Sequence, residues 1–349
     1  MDCRRRWRLG SGLAVLAAAL VIGSTASDAS GQASPQRVFE SRPQVEALRC
    51  PAQDNPSSRR PPAPDDRLPP ADELNAAAID AGRPLPLPPP LATEVRHAFA
   101  LPPPGGDPLR IGVWGDSHVA AGFITDELAK HVEAQGLSVA TRVLPASAGR
   151  PGVRLPVRQV CKSGWQFQPA YSAPEQRQVG PALADLRSAN AGDYLWFDLR
   201  HHAERPVRSV RIQYLPARAA TTIGVRVDDG VEARLELSRR EQGRVIPGEL
   251  VVRGSSSIST LKLRVLRGEV VLQGITLDYE SPSDVTIDVF GLPSATVGGW
   301  SNADAEYLRR SIDPDGYDAI ILEYGTNEGA VGRFDASAYA AMLAASVTS

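Results

Sequence analysis

The chain has 349 residues, 42% of them hydrophobic, so it can bury a sizeable core and hold more than one folding unit. Its formal net charge is −2, which argues against a nucleic-acid-binding surface, and we expect no nucleic-acid partner. Length and charge therefore indicate a globular protein and leave its chemistry to the motifs.

Residues 1–33 have the three parts of a secretory signal peptide. The start "MDCRRRWRLG" is basic, Leu13 to Ile22 is apolar, and small residues offer cleavage after Ala29 or Ala33. An uncleaved anchor is the alternative, although the apolar stretch is short for a membrane span. We therefore expect a periplasmic or secreted protein with no stable membrane partner.

Two cysteines, Cys50 and Cys161, are left once the signal peptide is removed. In an oxidising compartment they are candidates for one disulfide, and two unpaired thiols are the alternative. The sequence leaves both open.

Residues 34–106 are rich in proline and include the run "PLPLPPP". This composition favours extended polyproline segments, so the region is predicted to be a linker. Two patches inside it, residues 71–82 and 91–99, are candidates for short helices.

Residues 107–190 begin with an α/β pattern. "LRIGVWGDS" predicts a strand that ends in a turn, and "FITDELAKHVEAQG" predicts a helix that ends at Gly136. "LSVATRVLP" predicts a second strand. A β-turn-α-β order of this kind is typical of the start of a parallel sheet.

In residues 191–283 hydrophobic residues instead recur at every second position. Short alternating runs such as "SVRIQYL", "TIGVRVDD" and "TLKLRVL" are separated by turn residues, with no helical segment among them. The pattern predicts an inserted, jelly-roll-like β-sandwich. Within it, Asp228-Asp229-Gly230 predicts a hairpin turn.

Residues 284–349 return to the α/β pattern. "VTIDVFG" and "YDAIILEYG" predict buried strands, "NADAEYLRRSID" predicts a helix capped by Asn302, and "DASAYAAMLAASVTS" begins another helix. The predicted fold class is therefore α/β. It is a parallel sheet with helices on both faces, interrupted by the all-β insertion and incomplete at its C-terminus.

Two polar residues follow strands of the predicted parallel sheet. Ser117 lies in "GDSH" after the first strand, and Asn327 lies in "GTNE" after the last one. Since ligands bind at the carboxyl ends of parallel strands, both side chains should reach one crevice. A serine nucleophile attacking an ester needs donors for the developing oxyanion, and an asparagine amide is such a donor.

The two motifs resemble blocks I and III of the SGNH (GDSL-like) hydrolase superfamily. The resemblance implies that Ser117 is the catalytic nucleophile and that its N–H and the Asn327 side chain belong to the oxyanion hole. "VFGLPSATVGGWS" is similar to block II, which implies Ser294 as a third donor where the family has glycine, with Gly298 as the alternative. Glu328 stands where aspartate is commoner, a variant associated with enzymes acting on acetylated cell-wall sugars.

The general base is the part of the resemblance that does not match. The family's base is a DxxH histidine after block III, but no histidine follows Asn327, so we expect a C-terminally truncated chain without turnover of its own. Asp198-x-x-His201 fits DxxH in letters, but it precedes block III on a predicted strand, and we do not interpret it as catalytic. Asp116 and His118 are further pocket candidates.

An SGNH core interrupted by a jelly roll is similar to the peptidoglycan O-acetylesterase group. The resemblance implies an exported serine esterase that removes acetyl groups from a cell-envelope polysaccharide, with peptidoglycan as the first choice and acetylated polysaccharide as partner. A sugar O-acyltransferase, or a catalytically dead carbohydrate-binding or scaffold protein, is the alternative. We expect no cofactor and no metal, because the sequence has no Cys/His cluster with ligand spacing.

Overall fold

The computed structural model describes most of the chain outside the proline-rich region. The described residues are 18–20, 36–41, 48–51, 101–103, 105–173, 175–200, 205–237, 246–312, 316–330 and 335–348. Their strands are β1 (Ala18–Leu20), β2 (Gln36–Phe39), β3 (Leu109–Gly115), β4 (Val139–Ala140), β5 (Val143–Pro145), β6 (Gln159–Ser163), β7 (Gln166–Pro169), β8 (Ala184–Ser188), β9 (Tyr194–Asp198), β10 (Val207–Tyr214), β11 (Thr221–Val227), β12 (Ala233–Leu237), β13 (Gly248–Ile258), β14 (Thr260–Arg267), β15 (Val270–Tyr279), β16 (Val285–Gly291) and β17 (Ala319–Glu323). Their helices are α1 (Ser117–Ala120), α2 (Phe123–Glu133), α3 (Gly298–Ser301), α4 (Ala305–Ile312), α5 (Thr326–Gly329) and α6 (Ala336–Thr348), and Ala170–Ser172 forms a 3-10 turn.

One sheet carries the α/β part of the fold. Its strand order is β1-β17-β3-β16-β4, in which β17, β3, β16 and β4 run parallel and β1 pairs antiparallel with β17. Alternation along β3 separates two cores: Ile111 and Val113 pack in one cluster with Val132 of α2. Trp114 faces the other way and stacks on Phe290, with ring centroids 4.3 Å apart. The parallel sheet predicted from the sequence is confirmed, whereas helices on both of its faces stay a prediction.

Two antiparallel sheets make up the remainder. The larger has the order β2-β13-β10-β15-β8-β7, with β5 also paired to β15, and the smaller has the order β12-β11-β14-β9-β6. Inward residues of both sheets, such as Ile212 and Leu263, are buried in one continuous hydrophobic cluster that also contains Trp114. The period-two pattern therefore predicted the antiparallel strands correctly.

Strands from outside residues 191–283 join these two sheets. β5 to β8 come from the region predicted as hydrolase core, and β2 from the predicted linker pairs in parallel with β13. Phe39 of β2 is buried in the shared cluster. The antiparallel sheets thus extend beyond the insertion inferred from periodicity, since a strand as short as "QRVF" gives too few residues to show a period. The boundaries at 107, 191 and 284 stay predictions as domain boundaries.

The segment "LSVATRVLP" forms two strands in different sheets. β4 pairs with β16 of the parallel sheet, whereas β5 pairs with β15 of the larger antiparallel sheet. Between them, the backbone N–H groups of Arg142 and Val143 donate to Asp288 Oδ1 at 2.8 and 3.2 Å. A side chain thus takes the place of a neighbouring strand at this point, and the chain changes sheets.

The N-terminal region is described only in part. β1 lies within the segment predicted to be a signal peptide, and its residue Ala18 pairs with Leu322. The candidate helices at 71–82 and 91–99 lie outside the described residues. Among the helices of the described residues, none is long and apolar enough to span a membrane.

Cys50 and Cys161 form a disulfide with a Cα–Cα distance of 5.4 Å. The bond fastens residues 48–51 to β6, next to the point where the buried Leu48 donates its N–H to Asp198 Oδ2 at 3.4 Å. Of the two alternatives left open by the sequence, the structure has the disulfide.

The cap predicted for the helix α4 is wrong by two residues. Asp304 Oδ1 accepts the N–H of Tyr307 at 3.0 Å and so caps the helix. The Asn302 amide instead donates to the carbonyl groups of Ala170 and Ala173, both at 3.1 Å. Asn302 therefore holds the 3-10 turn, because its amide finds acceptors there.

Candidate active site

Three strands of the parallel sheet end side by side. Gly115 of β3 pairs with Gly291 of β16 on one side and with Glu323 of β17 on the other. The loops that carry Ser117, Ser294 and Asn327 therefore leave neighbouring strands at their carboxyl ends. This is the edge of a parallel sheet at which ligands bind.

Ser117 is the first residue of α1, and its side chain is exposed. Asp116, which is fully buried, caps this helix by accepting the His118 N–H on Oδ1 at 2.9 Å. The helix sits directly on β16: a Cβ added to Gly291 would lie 2.1 Å from the Ala120 backbone nitrogen. Glycine at 291 thus permits the close approach that positions Ser117.

Ser294 occupies a strained turn after β16. The Ala295 N–H donates to the Leu292 carbonyl at 2.9 Å, which closes a turn with Pro293 second and Ser294 third. Ser294 has φ 67°, in the left-handed region that favours glycine. Serine thus adopts here the backbone conformation for which the resemblance expects glycine. Gly298, the alternative donor, is the first residue of α3.

Asn327 lies in α5 and is half-buried. Its Nδ2 donates to the Ala295 carbonyl at 2.7 Å, which fixes the amide against the turn that contains Ser294. A carboxamide nitrogen carries two hydrogens, so this bond orients Asn327 and leaves one hydrogen for a ligand.

Glu328 connects two of the three loops. Its Oε1 accepts the Val297 N–H at 2.6 Å, and its Oε2 accepts the Gly325 N–H at 3.1 Å. Both carboxylate oxygens are therefore used within the protein. Glu328, predicted as a pocket residue, acts here as a positioning residue for the loops after β16 and β17.

His118 bridges the first and last loops. Its Nδ1 lies 3.3 Å from Thr326 Oγ1, 3.4 Å from Asp116 Oδ1 and 3.6 Å from Glu323 Oε1. The side chain is 44% exposed, in contrast to both carboxylates. The contacts show that residues following β3 and β17 meet at the sheet edge.

Glu323 is the site residue that sequence reasoning missed. It ends β17 with only 2% of its surface exposed. Burial and then the negative charge of Asp116 raise the pKa of Glu323, while His118 opposes the shift. The available signal was a single carboxylate at the end of the apolar strand "AIILE", directly before "YGTNE".

Asp198, the aspartate of the literal DxxH match, is engaged elsewhere. The Arg200 guanidinium donates to its two oxygens at 2.8 and 2.7 Å, and Asp198 ends β9 of an antiparallel sheet. His201 lies outside the described residues. The interpretation of this motif as strand and turn residues agrees with these contacts.

The turn predicted at residues 228–230 is also present, with the Gly230 N–H donating to the Val227 carbonyl at 3.0 Å.

The fold and the site define an α/β protein with a serine, an oriented carboxamide and two buried carboxyl groups at one sheet edge. No protein-family model matches the sequence, and no curated protein does.

Among solved structures, a peptidoglycan O-acetylesterase is similar with a TM-score of 0.47 and 20% identity, over 67% of this chain and 61% of that one. The chain thus spans about three-fifths of the length of that esterase. A family 6 carbohydrate-binding module from Clostridium stercorarium, solved with cellobiose, has a TM-score of 0.26 and 12% identity, over 41% of this chain and 97% of the module. A CBM35 domain from Paenibacillus barcinonensis has a TM-score of 0.26 and 10% identity, over 39% and 97%. At these TM-scores we infer no function from the likenesses.

Proposed function

We propose that the protein is an exported serine esterase of the SGNH type that removes O-acetyl groups from a cell-envelope polysaccharide, with peptidoglycan as the first choice. One observation carries the proposal. The GDSH, block II and GTNE segments follow three neighbouring parallel strands at the same edge of the sheet. The Asn327–Ala295 and Glu328–Val297 hydrogen bonds connect the GTNE segment to the block II segment.

In this proposal Ser117 attacks the acetyl carbonyl, and three donors meet the oxyanion. These donors are the Ser117 N–H, the Ser294 N–H and the free hydrogen of the Asn327 amide. An oxyanion-hole donor contributes about 2.7–4 kcal/mol of transition-state stabilisation. Asp116 and Glu328 then serve as positioning residues, since their carboxylates accept backbone N–H groups of the loops.

In the family that the motifs resemble, the base is the histidine of a DxxH segment, and no histidine follows Asn327 in these residues. Without a base the serine hydroxyl is a weak nucleophile. We therefore expect Ser117-dependent turnover only from a form of the protein that includes such a segment.

The test compares acetate release from O-acetylated peptidoglycan, acetylated xylan and a short lipid ester. It uses the 349-residue chain and a form extended through a DxxH segment, each with Ser117→Ala as the matched variant. The proposal expects release from peptidoglycan by the extended form, lost in Ser117→Ala. A preference for the lipid ester, or release that survives Ser117→Ala, contradicts it. Robust Ser117-dependent turnover by the 349-residue chain would show that the base is already present.

A further inference from the structure

Three potential ligands of a metal ion meet beside Ser117. Asp116, His118 and Glu323 each present one donor atom, and the three atoms lie within 4.8 Å of one another. Asp116 and His118 follow β3, and Glu323 ends the neighbouring β17. The sheet therefore assembles a group that sequence spacing alone does not reveal.

The carboxyl groups of this cluster have unused bonding capacity. Asp116 Oδ2 and Glu323 Oε2 are both buried, and neither receives a hydrogen bond from a donor group among the described residues. The Glu323 carboxyl group does interact with the Asp116 side chain and backbone N–H, so the two carboxyl groups lie against each other. The side chains themselves are 0% and 3% exposed. Two buried carboxylates that lie against each other repel, so the pair is stable with a shared proton or with a bound cation between them.

The distances from His118 to the other oxygen of each carboxyl group fit a bound cation. Two ligands about 2.0–2.1 Å from an ion in tetrahedral geometry lie about 3.4 Å apart. His118 Nδ1 lies 3.4 Å from Asp116 Oδ1 and 3.6 Å from Glu323 Oε1, close to that separation. Two hydrogen bonds compete with a metal ion for these atoms. Thr326 Oγ1 lies 3.3 Å from His118 Nδ1, and Asp116 Oδ1 accepts the backbone N–H of His118.

We propose that Asp116, His118 and Glu323 bind one divalent transition-metal ion of the zinc class. One imidazole nitrogen and two carboxylate oxygens form a donor set that zinc accepts, and three protein ligands leave a fourth position open to water or substrate. The open position would face solvent on the side of the half-exposed His118. Metal binding is measured without substrate, so this proposal can be tested independently of the proposed esterase function.

The first test is a calorimetric titration of metal-stripped protein with Zn²⁺. We expect one ion per chain, with affinity falling at least about 10-fold in His118→Gln and in Glu323→Gln. His131→Gln, an exposed histidine of α2, and His201→Gln are the matched controls and should bind as the wild type does. Asp116 is left intact because it caps α1.

The second test uses Co²⁺ as a spectroscopic probe of the ligands. The proposal expects visible absorption bands of a tetrahedral ion at one equivalent, lost in His118→Gln and retained in His131→Gln. Absence of stoichiometric binding of either metal contradicts the proposal. Binding that depends on His201 and not on His118 contradicts it as well. Neither result changes the acetate release that we expect, so each of the two proposals can be contradicted without the other.

Discussion

Buried carboxyl groups occur at two places in the parallel sheet and differ in how they are satisfied. Asp288 of β16 has partners on both oxygens: the N–H groups of Arg142 and Val143, the Arg142 guanidinium at 3.2 Å and the Tyr317 hydroxyl at 3.1 Å. At the carboxyl edge, Asp116 and Glu323 each have one oxygen that receives no hydrogen bond from a donor group of the described residues.

The two places differ in how many donor groups their carboxyl oxygens receive. Folded proteins pair nearly all buried polar atoms, so a site with two orphaned oxygens stands out from its own sheet. Asp288 accepts the backbone N–H groups of Arg142 and Val143, where the chain passes from one sheet to the other. Asp116 and Glu323 lie beside Ser117 and are the carboxyl groups of the proposed metal site.

The largest effect is expected at Asp288. In Asp288→Asn an amide oxygen can still accept the two backbone N–H groups, but the negative charge is lost, and an NH₂ group replaces the oxygen that faces the Arg142 guanidinium and the Tyr317 hydroxyl. Breaking a buried pair of this kind costs about 3–5 kcal/mol in free energy of unfolding. Urea denaturation measures the loss, with the exposed Asp107→Asn as control. A loss below about 1 kcal/mol would remove the contrast between the two carboxylate sites.

Asp185 is an intermediate case and predicts a pH dependence. Its Oδ1 accepts the Gly180 N–H and the Gln273 amide, while Oδ2 lies 3.6 Å from the Arg177 guanidinium. Burial is the main cause that raises the pKa of Asp185 to about 6, against 3.8 for an ordinary aspartate. Between these two values the folded protein holds a proton that the unfolded chain has lost, so this contribution to stability falls as pH rises from 4 to 6.

The Asp185→Asn variant should therefore flatten the stability profile over that range. At 1.36 kcal/mol per pKa unit, the change in free energy of unfolding between pH 4 and 7 is at most about 3 kcal/mol. Urea titrations at several pH values measure it. An unchanged slope in Asp185→Asn would show that Asp185 is charged in the folded protein over this whole range.

A smaller effect is expected where β16 supports the candidate nucleophile. In Gly291→Ala the added methyl group would overlap the backbone of Ala120 and Val119, so α1 must move away from β16. We expect the free energy of unfolding to fall by about 1–3 kcal/mol, the usual cost of overpacking. Gly329→Ala at the same sheet edge meets nothing within 4 Å and is the matched control. Equal stability of the two variants in thermal or urea unfolding would contradict the contact.

The smallest effect is expected at Glu323, which completes the comparison with Asp288. In metal-free protein, Glu323→Gln replaces a buried carboxyl group, whose Oε2 receives no hydrogen bond from a donor group of the described residues, by an amide of the same shape. The free energy of unfolding should change by no more than about 0.5 kcal/mol, because little pairing is lost. Denaturation in the presence of a chelator measures this. A loss of about 2 kcal/mol or more would show that Glu323 is a structural carboxylate like Asp288.

The sequence predicted the strands better than it predicted their partners. β3, β16 and β17 are long apolar runs that end in turn residues, so their ends, and with them Ser117 and Asn327, were placed correctly at one edge. "LSVATRVLP" was predicted as one strand, since nothing local shows that Asp288, from a distant strand, accepts its central N–H groups.

The same limit applies within the site. Asp116, Ser117 and His118 are adjacent in the sequence and carry a motif. Glu323 is a lone carboxylate in an apolar strand, and only the pairing of β17 with β3 brings it to His118. Residues whose position depends on long-range pairing were therefore missed, whereas the position of residues in a strand-end motif was predicted.

The central claim is that the Ser117 hydroxyl and the Asn327 carboxamide face one substrate carbonyl. A crystal structure of the protein with a phosphonate mimic of an acetyl ester bonded to Ser117 Oγ tests it most directly. We expect the phosphonyl oxygen to lie about 2.7–3.1 Å from both Asn327 Nδ2 and the Ser117 backbone nitrogen. A phosphonyl oxygen turned away from Asn327, with the amide bonded only within the protein, would contradict it.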